Sequence, residues 1–293
     1  MIMASASIQR IAAAPLFRLA LGAILTFALP GAGPAALSDQ SPWISSTDSK
    51  VRLVSGAVEL DGKPRLLAGV QIRMDGGWKT YWRNPGDSGV PPSFDFTGSK
   101  NLKHAEVLYP APHRFDDADG TAIGYDDEVV FPVMITPERE GEPIELKLAL
   151  SYGLCKTLCV PNDVSLGLEL PADAASRSRD APLLEASLAR VPKASAPNAL
   201  PRIEGVTANL DAPQPEFLVD ALFAADATRT DLFIDADETF APVPKPLGPQ
   251  ASGKQRFAVT FASAQVAAAL KGKPLKLVLV SDQGSSETTW TIQ

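Results

Sequence analysis

From Val51 onward, apolar and polar positions alternate with a period of two. The run Leu66, Ala68, Val70, Ile72, Met74 shows it most clearly, and such alternation lays one face of a strand on a core. The preceding run, Val51 to Leu60, joins it through Asp61-Gly-Lys-Pro64, whose Asp-Gly pair supplies the positive φ of a hairpin turn. Further strands are expected at Trp78 to Trp82, His104 to Tyr109, Val129 to Ile135, Ile144 to Tyr152 and Val164 to Leu170, with Pro or Gly in nearly every gap. Seven short strands predict a β-sandwich. Its last pair is the best defined: Ile144, Leu146, Leu148, Leu150, Tyr152 and then Val164, Leu166, Leu168, Leu170 alternate without a break, and their joint holds both cysteines of the chain.

After Pro171 the composition shifts to Ala, Ser, Pro and Arg. A short amphipathic helix is expected from Asp180-Ala-Pro, with Leu183, Leu184, Leu188 and Val191 on one side. Beyond Leu200 the runs Ile203 to Leu210, Glu216 to Val219, Asp231 to Ile234, Arg256 to Phe261, Leu275 to Val280 and Thr288 to Ile292 predict a second, smaller β-domain without Cys or His. The expected division is a first domain over 45–171, a linker with one helix over 172–200 and a second β-domain over 201–293.

The N-terminal residues belong to none of these. Arg10 and Arg18 precede the apolar stretch Leu19 to Leu29, and the small-residue segment Pro30-Gly-Ala-Gly-Pro-Ala-Ala36 follows it. Eleven residues are too few for a hydrocarbon layer that needs about 20, so residues 1–36 read as a cleaved signal peptide and the mature protein as soluble and exported. Both arginines leave with it, and 25 basic residues then face 34 acidic ones. An acidic chain with dispersed charge offers no basic face to follow phosphates, which excludes nucleic acid as a partner.

Only two Cys and two His are present, so chemistry concentrates on Tyr152-Gly-Leu-Cys155-Lys-Thr-Leu-Cys159-Val-Pro161. Five extended residues would separate the Cα atoms of Cys155 and Cys159 by about 13 Å, whereas a disulfide accepts at most roughly 7 Å, so bonding them requires a turn. In an exported protein the resting form is expected to be a disulfide. Two uses remain open. As a staple the bond is poorly placed, because a bridge across three residues constrains the unfolded chain little. As a redox pair it gains from Lys156, whose charge beside Cys155 favours the attacking thiolate. A Cu(I) ion held by the two thiolates is a further alternative. A site using His104 and His113 with the cysteines matches no short metal motif, and His113 reads as a turn residue.

Four segments, taken in order, carry a resemblance. They are Gly77-Trp-Lys-Thr-Tyr-Trp-Arg-Asn-Pro-Gly-Asp87, Tyr109-Pro-Ala-Pro-His-Arg-Phe115, Gly124-Tyr125 before Val129-Val-Phe-Pro-Val133, and Tyr152 to Pro161. Together they resemble the N-terminal periplasmic domain of the thiol:disulfide interchange protein DsbD, and most of all its ScsB-type relatives with a Cys-x-x-x-Cys pair. The resemblance covers about Val51 to Pro171. It implies an immunoglobulin-like sandwich, needing no cofactor, whose pair Cys155 and Cys159 takes electrons from a membrane-embedded donor and passes them to oxidised periplasmic client proteins. Family members continue into a membrane domain and a thioredoxin-like domain; here a cysteine-free β-domain follows, so a separate protein is the expected donor. The aromatic cap that covers the cysteines in the family has no counterpart in Asp116-Asp-Ala-Asp-Gly120, and cover is expected from Phe115 or Tyr125.

Overall fold

Alternating sequence becomes paired strand through most of the chain. A computed structural model describes residues 39–292 apart from 61, 88, 118–119, 173–177, 197 and 237–240; the expected signal peptide lies outside the described residues. The first sandwich is built from β1 (Ile44–Ser46), β2 (Ser49–Leu60), β3 (Lys63–Met74), β4 (Lys79–Gly86), β5 (Ser93–Asp95), β6 (Leu102–Val107), β7 (His113–Asp117), β8 (Gly120–Asp126), β9 (Glu128–Pro137), β10 (Ile144–Cys155) and β11 (Cys159–Leu170). One sheet runs β1-β2-β3-β9-β6 and the other β11-β10-β4-β8-β7, with β5 alongside β10. All seven expected strands of this domain are present. The short β1 and β5 and the hairpin β7–β8 are additional; β7 and β8 carry Asp116, Asp117 and Asp126, a residue type depleted in strands, so pairing rather than propensity makes them.

The core lies between the sheets, with Leu53, Val70, Ile72 and Phe131 from one and Leu146, Leu148, Leu150 and Leu154 from the other. The expected hairpin from Val51 is β2–β3, and Gly62 at its turn takes φ +73°. Helix α1 (Ala181–Ala189) starts after Asp180, with Pro182 in its first turn, and buries Leu184 and Leu188 on the outer face of β2–β3 against Val54, Val58, Leu67 and Val130.

The second sandwich holds β12 (Lys193–Ala194), β13 (Arg202–Asn209), β14 (Glu216–Leu222), β15 (Asp231–Asp235), β16 (Lys245–Ala251), β17 (Lys254–Thr260), α2 (Ala264–Leu270), β18 (Pro274–Ser281) and β19 (Gly284–Thr291). Its sheets are β12-β19-β18-β15 and β13-β14-β17-β16, around Phe217, Phe257, Phe261, Leu277 and Leu279. The protein is thus an immunoglobulin-like β-sandwich followed by a second β-domain. Strand β15 joins the two. Asp231 accepts two hydrogen bonds from the Arg114 guanidinium, both 2.7 Å, Asp235 pairs with Arg83 at 2.8 Å, and Phe233 meets Trp82 edge-on at 6.1 Å. Asn84 Nδ2 donates to the Ile234 carbonyl at 2.7 Å.

Candidate functional site at the tip of the β10–β11 hairpin

Strands β10 and β11 pair without slippage from Ile144↔Leu170 to Cys155↔Cys159. The register therefore delivers the two cysteines opposite one another at the tip, with Cα atoms 4.1 Å apart, and they are joined by a disulfide. Lys156, Thr157 and Leu158 close the turn, the Lys156 N–H donating to the Leu158 carbonyl at 3.3 Å. Exposure differs between the sulfur-bearing residues: Cys155 is half-buried and Cys159 exposed. Leu158 between them is 72% exposed, the most exposed large apolar side chain described.

Directly paired residues share a face of a sheet, and the face alternates along each strand. Cys155 pairs with Lys79, and Tyr81 lies two residues further along the same strand, so Lys79, Tyr81, Gly153 and Cys155 share the face turned away from the core. Tyr81 is nonetheless only 2% exposed. Two glycines make room for its ring. A Cβ on Gly89 would stand 2.3 Å from Tyr81 Cε1, and one on Gly153 would stand 3.1 Å from Cε2. Gly89 also has φ +136°, a backbone that side chains rarely adopt. Held this way, the phenol oxygen lies 3.4 Å from Cys159 Sγ. A bonded sulfur carries no proton, so the hydroxyl is the donor. Thr80 Oγ1 donates to the Gly153 carbonyl at 2.8 Å and ties β4 to the hairpin beside the site.

The structure distributes the other expected residues as follows. Lys156 sends its ammonium to the Gly76 carbonyl at 2.9 Å, lying along the β3–β4 turn where a Cβ on Gly77 would meet its Cε at 3.1 Å. Phe115 is on the outward face too, on the edge strand β7, where its ring underlies the Lys79 ammonium at 5.4 Å. Tyr125 corrects the expectation of cover. Its partner Thr80 sits one residue out of phase with Tyr81, so Tyr125 points into the core, meets Phe131 edge-on at 5.4 Å and donates its hydroxyl to the Pro110 carbonyl at 2.8 Å. Burial pushes this phenol well above the usual tyrosine range, so it stays protonated. His104 on β6 and His113 on β7 belong to different sheets, and neither joins the cysteines. Among the described residues no group of three His, Cys, Asp or Glu side chains is arranged to hold a metal ion, and no helix is long and apolar enough to cross a membrane.

Tyr81 is the side chain beside the disulfide that strand periodicity did not single out. Flanked by Trp78 and Trp82, it reads as one more core or rim aromatic. The only available signal was its place inside one of the four segments that carry the resemblance.

The chemistry open to this arrangement is thiol–disulfide exchange: an exposed sulfur, a bonded neighbour as leaving group, and a hydroxyl donor at the exposed sulfur. Comparison with known proteins agrees. A family model for the N-terminal part of the thiol:disulfide interchange protein DsbD matches residues 57–170, which end at the last residue of β11. No curated protein sequence matches the chain. Among solved structures, the crystal structure of the N-terminal periplasmic domain of ScsB from Proteus mirabilis is similar, with a TM-score of 0.66 and 22% identity, over 87% of this chain and 98% of that one. At that identity the likeness speaks for the fold, and it extends through both sandwiches. Residues 57–170 are therefore a DsbD N-terminal-type domain, related to thiol:disulfide interchange, with Cys155 and Cys159 as its disulfide.

Proposed function

We propose that the protein relays reducing equivalents in the periplasm, taking two electrons from a membrane-embedded thiol donor and passing them to oxidised client proteins through Cys155 and Cys159. The observation that carries this reading is the unequal placement of the two sulfurs, one half-buried in the sheet and the other exposed beside a phenol donor. A donor thiolate attacks Cys159 Sγ, the accessible sulfur. The Cys155–Cys159 bond breaks, Cys155 leaves as a thiolate that takes up a proton, and a mixed disulfide links Cys159 to the donor. The donor's second thiol then displaces Cys159, so the donor is oxidised and the pair is reduced by two electrons and two protons. In the second half the Cys159 thiolate attacks a client disulfide, Cys155 resolves the mixed disulfide, and the client leaves as a dithiol. Tyr81 donates to Cys159 while that sulfur is a thiolate, after the donor's second thiol has displaced it and before it attacks the client. Lys156 adds positive charge to the turn, and Phe115 holds Lys79 on the same face. No cofactor takes part.

Two measurements test this. The reduction potential, titrated against glutathione or dithiothreitol and read by thiol alkylation, is expected above the roughly −300 mV below which structural disulfides fall. Cys155→Ser is expected to trap partners through Cys159 as mixed disulfides, and Cys159→Ser to trap few or none. A potential well below that threshold, together with no trapped partner from either variant, would make the bond a staple.

A further inference from the structure

A second candidate site lies where the two sandwiches and the end of α1 meet. A cavity of about 510 Å³ opens there, within the size range of small-molecule sites. Part of its lining is apolar, from Ala111, Val191 and Val280; the rest includes three cations, Arg190, Lys193 and Arg229. They come from three separate segments: the residue after α1, strand β12 and the loop before β15. In a chain with a formal charge of −7, cations brought together normally meet carboxylates, as Arg83 and Arg114 do. Among the described residues, none of these three is in an ion pair.

Asp282 is the one carboxylate in the lining; it feels the charge of Arg229 without forming an ion pair with it, and its oxygen is held by the backbone. It accepts the Thr228 backbone N–H at 2.6 Å, while its own N–H donates to the Thr228 carbonyl at 3.1 Å. This reciprocal clasp fixes the loop next to Arg229. Arg229 itself has φ +51°, the left-handed region that favours glycine, yet the position carries a long cationic side chain. Arg190 is fixed as well, its carbonyl accepting the Ala111 N–H at 2.8 Å. The backbones at Arg190 and Arg229 are thus held in place, and the three exposed cationic residues border a half-apolar hollow.

We propose that this cavity binds a small organic anion, a carboxylate or phosphate carried on an apolar body, with Arg190, Lys193 and Arg229 as its charge partners. Guanidinium groups suit such oxyanions because they present paired N–H donors, and the apolar lining accepts the rest of the ligand. His113 also lines the site. Desolvation lowers its pKa; Asp126 acts to raise it and Arg190 and Arg229 lower it further, so the ring meets a ligand neutral at pH 7. The proposal stands apart from the exchange reaction.

Calorimetric titration of the purified protein with 2-naphthoate and with 2-naphthyl phosphate tests it, 2-naphthylmethanol serving as the neutral comparator. At least one anion is expected to bind with one-to-one stoichiometry, at least tenfold more tightly than the alcohol, and the preferred anion tells carboxylate from phosphate. Arg229→Gly should weaken that binding at least tenfold while leaving Tm equal or higher, because glycine accepts the left-handed backbone without strain. Arg190→Gln should weaken it similarly. The Cys155→Ser, Cys159→Ser variant should bind as the wild type does, which separates this site from the redox reading. Absence of binding by both anions, equal binding of the alcohol, or full affinity in both arginine variants would overturn the proposal.

Discussion

The first sandwich contains two long hairpins that begin from the same plan and end in different roles. In β2–β3 and in β10–β11 each strand has twelve residues, and each hairpin pairs to its last residue in unbroken register. The first closes beside Gly62, after the pair Leu60↔Lys63, and holds together with no disulfide. It is also covered on both faces, by the core on one side and by α1 on the other, so Leu53 to Gly56 are buried consecutively. The second is covered on one face only: along β11, from Asn162 to Leu170, buried and exposed residues alternate strictly. The disulfide sits at the tip of the uncovered hairpin. A partner's thiol can reach a sulfur only where the fold leaves one side of the sheet open. The comparison also says that a hairpin of this length keeps its register through side-chain burial, so the disulfide is not needed to shape it.

The largest effect should come from attacking that burial. Leu148 on β10 is 2% exposed within the core, and Leu148→Ala removes its contacts and leaves a cavity. A loss of about 3 kcal/mol in unfolding free energy is expected, measured by urea denaturation. A loss below about 1 kcal/mol would show that burial along the inner face is not what holds the hairpin.

Removing the bond should matter less. The loop it closes runs from Cys155 to Cys159, and for five residues the chain-entropy relation gives about 2 kcal/mol as the cost of losing it. The Cys155→Ser, Cys159→Ser double variant should therefore fold cooperatively and be less destabilised than Leu148→Ala. Failure to fold would erase the contrast between the two hairpins and return the disulfide to the role of a staple.

The same contrast explains what could be read in advance. Strict alternation in β10 and β11 survives in the sequence because one face of that hairpin is wet, and period two is the signature of one-sided burial. In β2 the pattern is blurred by α1, whose apolar side was visible as Leu184 and Leu188 but whose target was not. In the second domain, β16 was hidden by Pro246 and Gly248, residues that argue against a strand, and the short α2 by its run of alanines. The cysteines were legible because only two exist and their spacing sits between two strong strands. Their setting was not. Residues 81, 89, 153 and 159 come together through strand pairing and one returning segment, and no local pattern marks Gly89 and Gly153 as the walls of a tyrosine ring. Tyr125 was misplaced for a related reason: without the β4–β8 register, its face of the sheet is undetermined.

The smallest effect should fall on Tyr81 and should be seen in the redox chemistry rather than in stability. Tyr81→Phe keeps the ring between Gly89 and Gly153 and deletes only the hydroxyl that reaches Cys159 at 3.4 Å, so unfolding free energy should change by less than about 1 kcal/mol. The reduced pair loses more than the oxidised one, because a thiolate is a better acceptor than a bonded sulfur. At about pH 9, above the ordinary thiol pKa of ~8.5, an ordinary thiol is mostly thiolate and the hydrogen bond is near full strength. Losing about 1 kcal/mol from the reduced form then makes the potential roughly 20 mV more negative. Acidification protonates the thiol and should shrink the difference between wild type and variant. A structural role for the phenol would instead shift stability and leave the potential unchanged at both pH values, and a potential that became less negative would mean that the hydroxyl favours the disulfide. The β2–β3 hairpin has no sulfur at its turn, so a potential that moves with one hydroxyl, on an otherwise unaltered sheet, would assign the tip of β10–β11 to chemistry and not to shape.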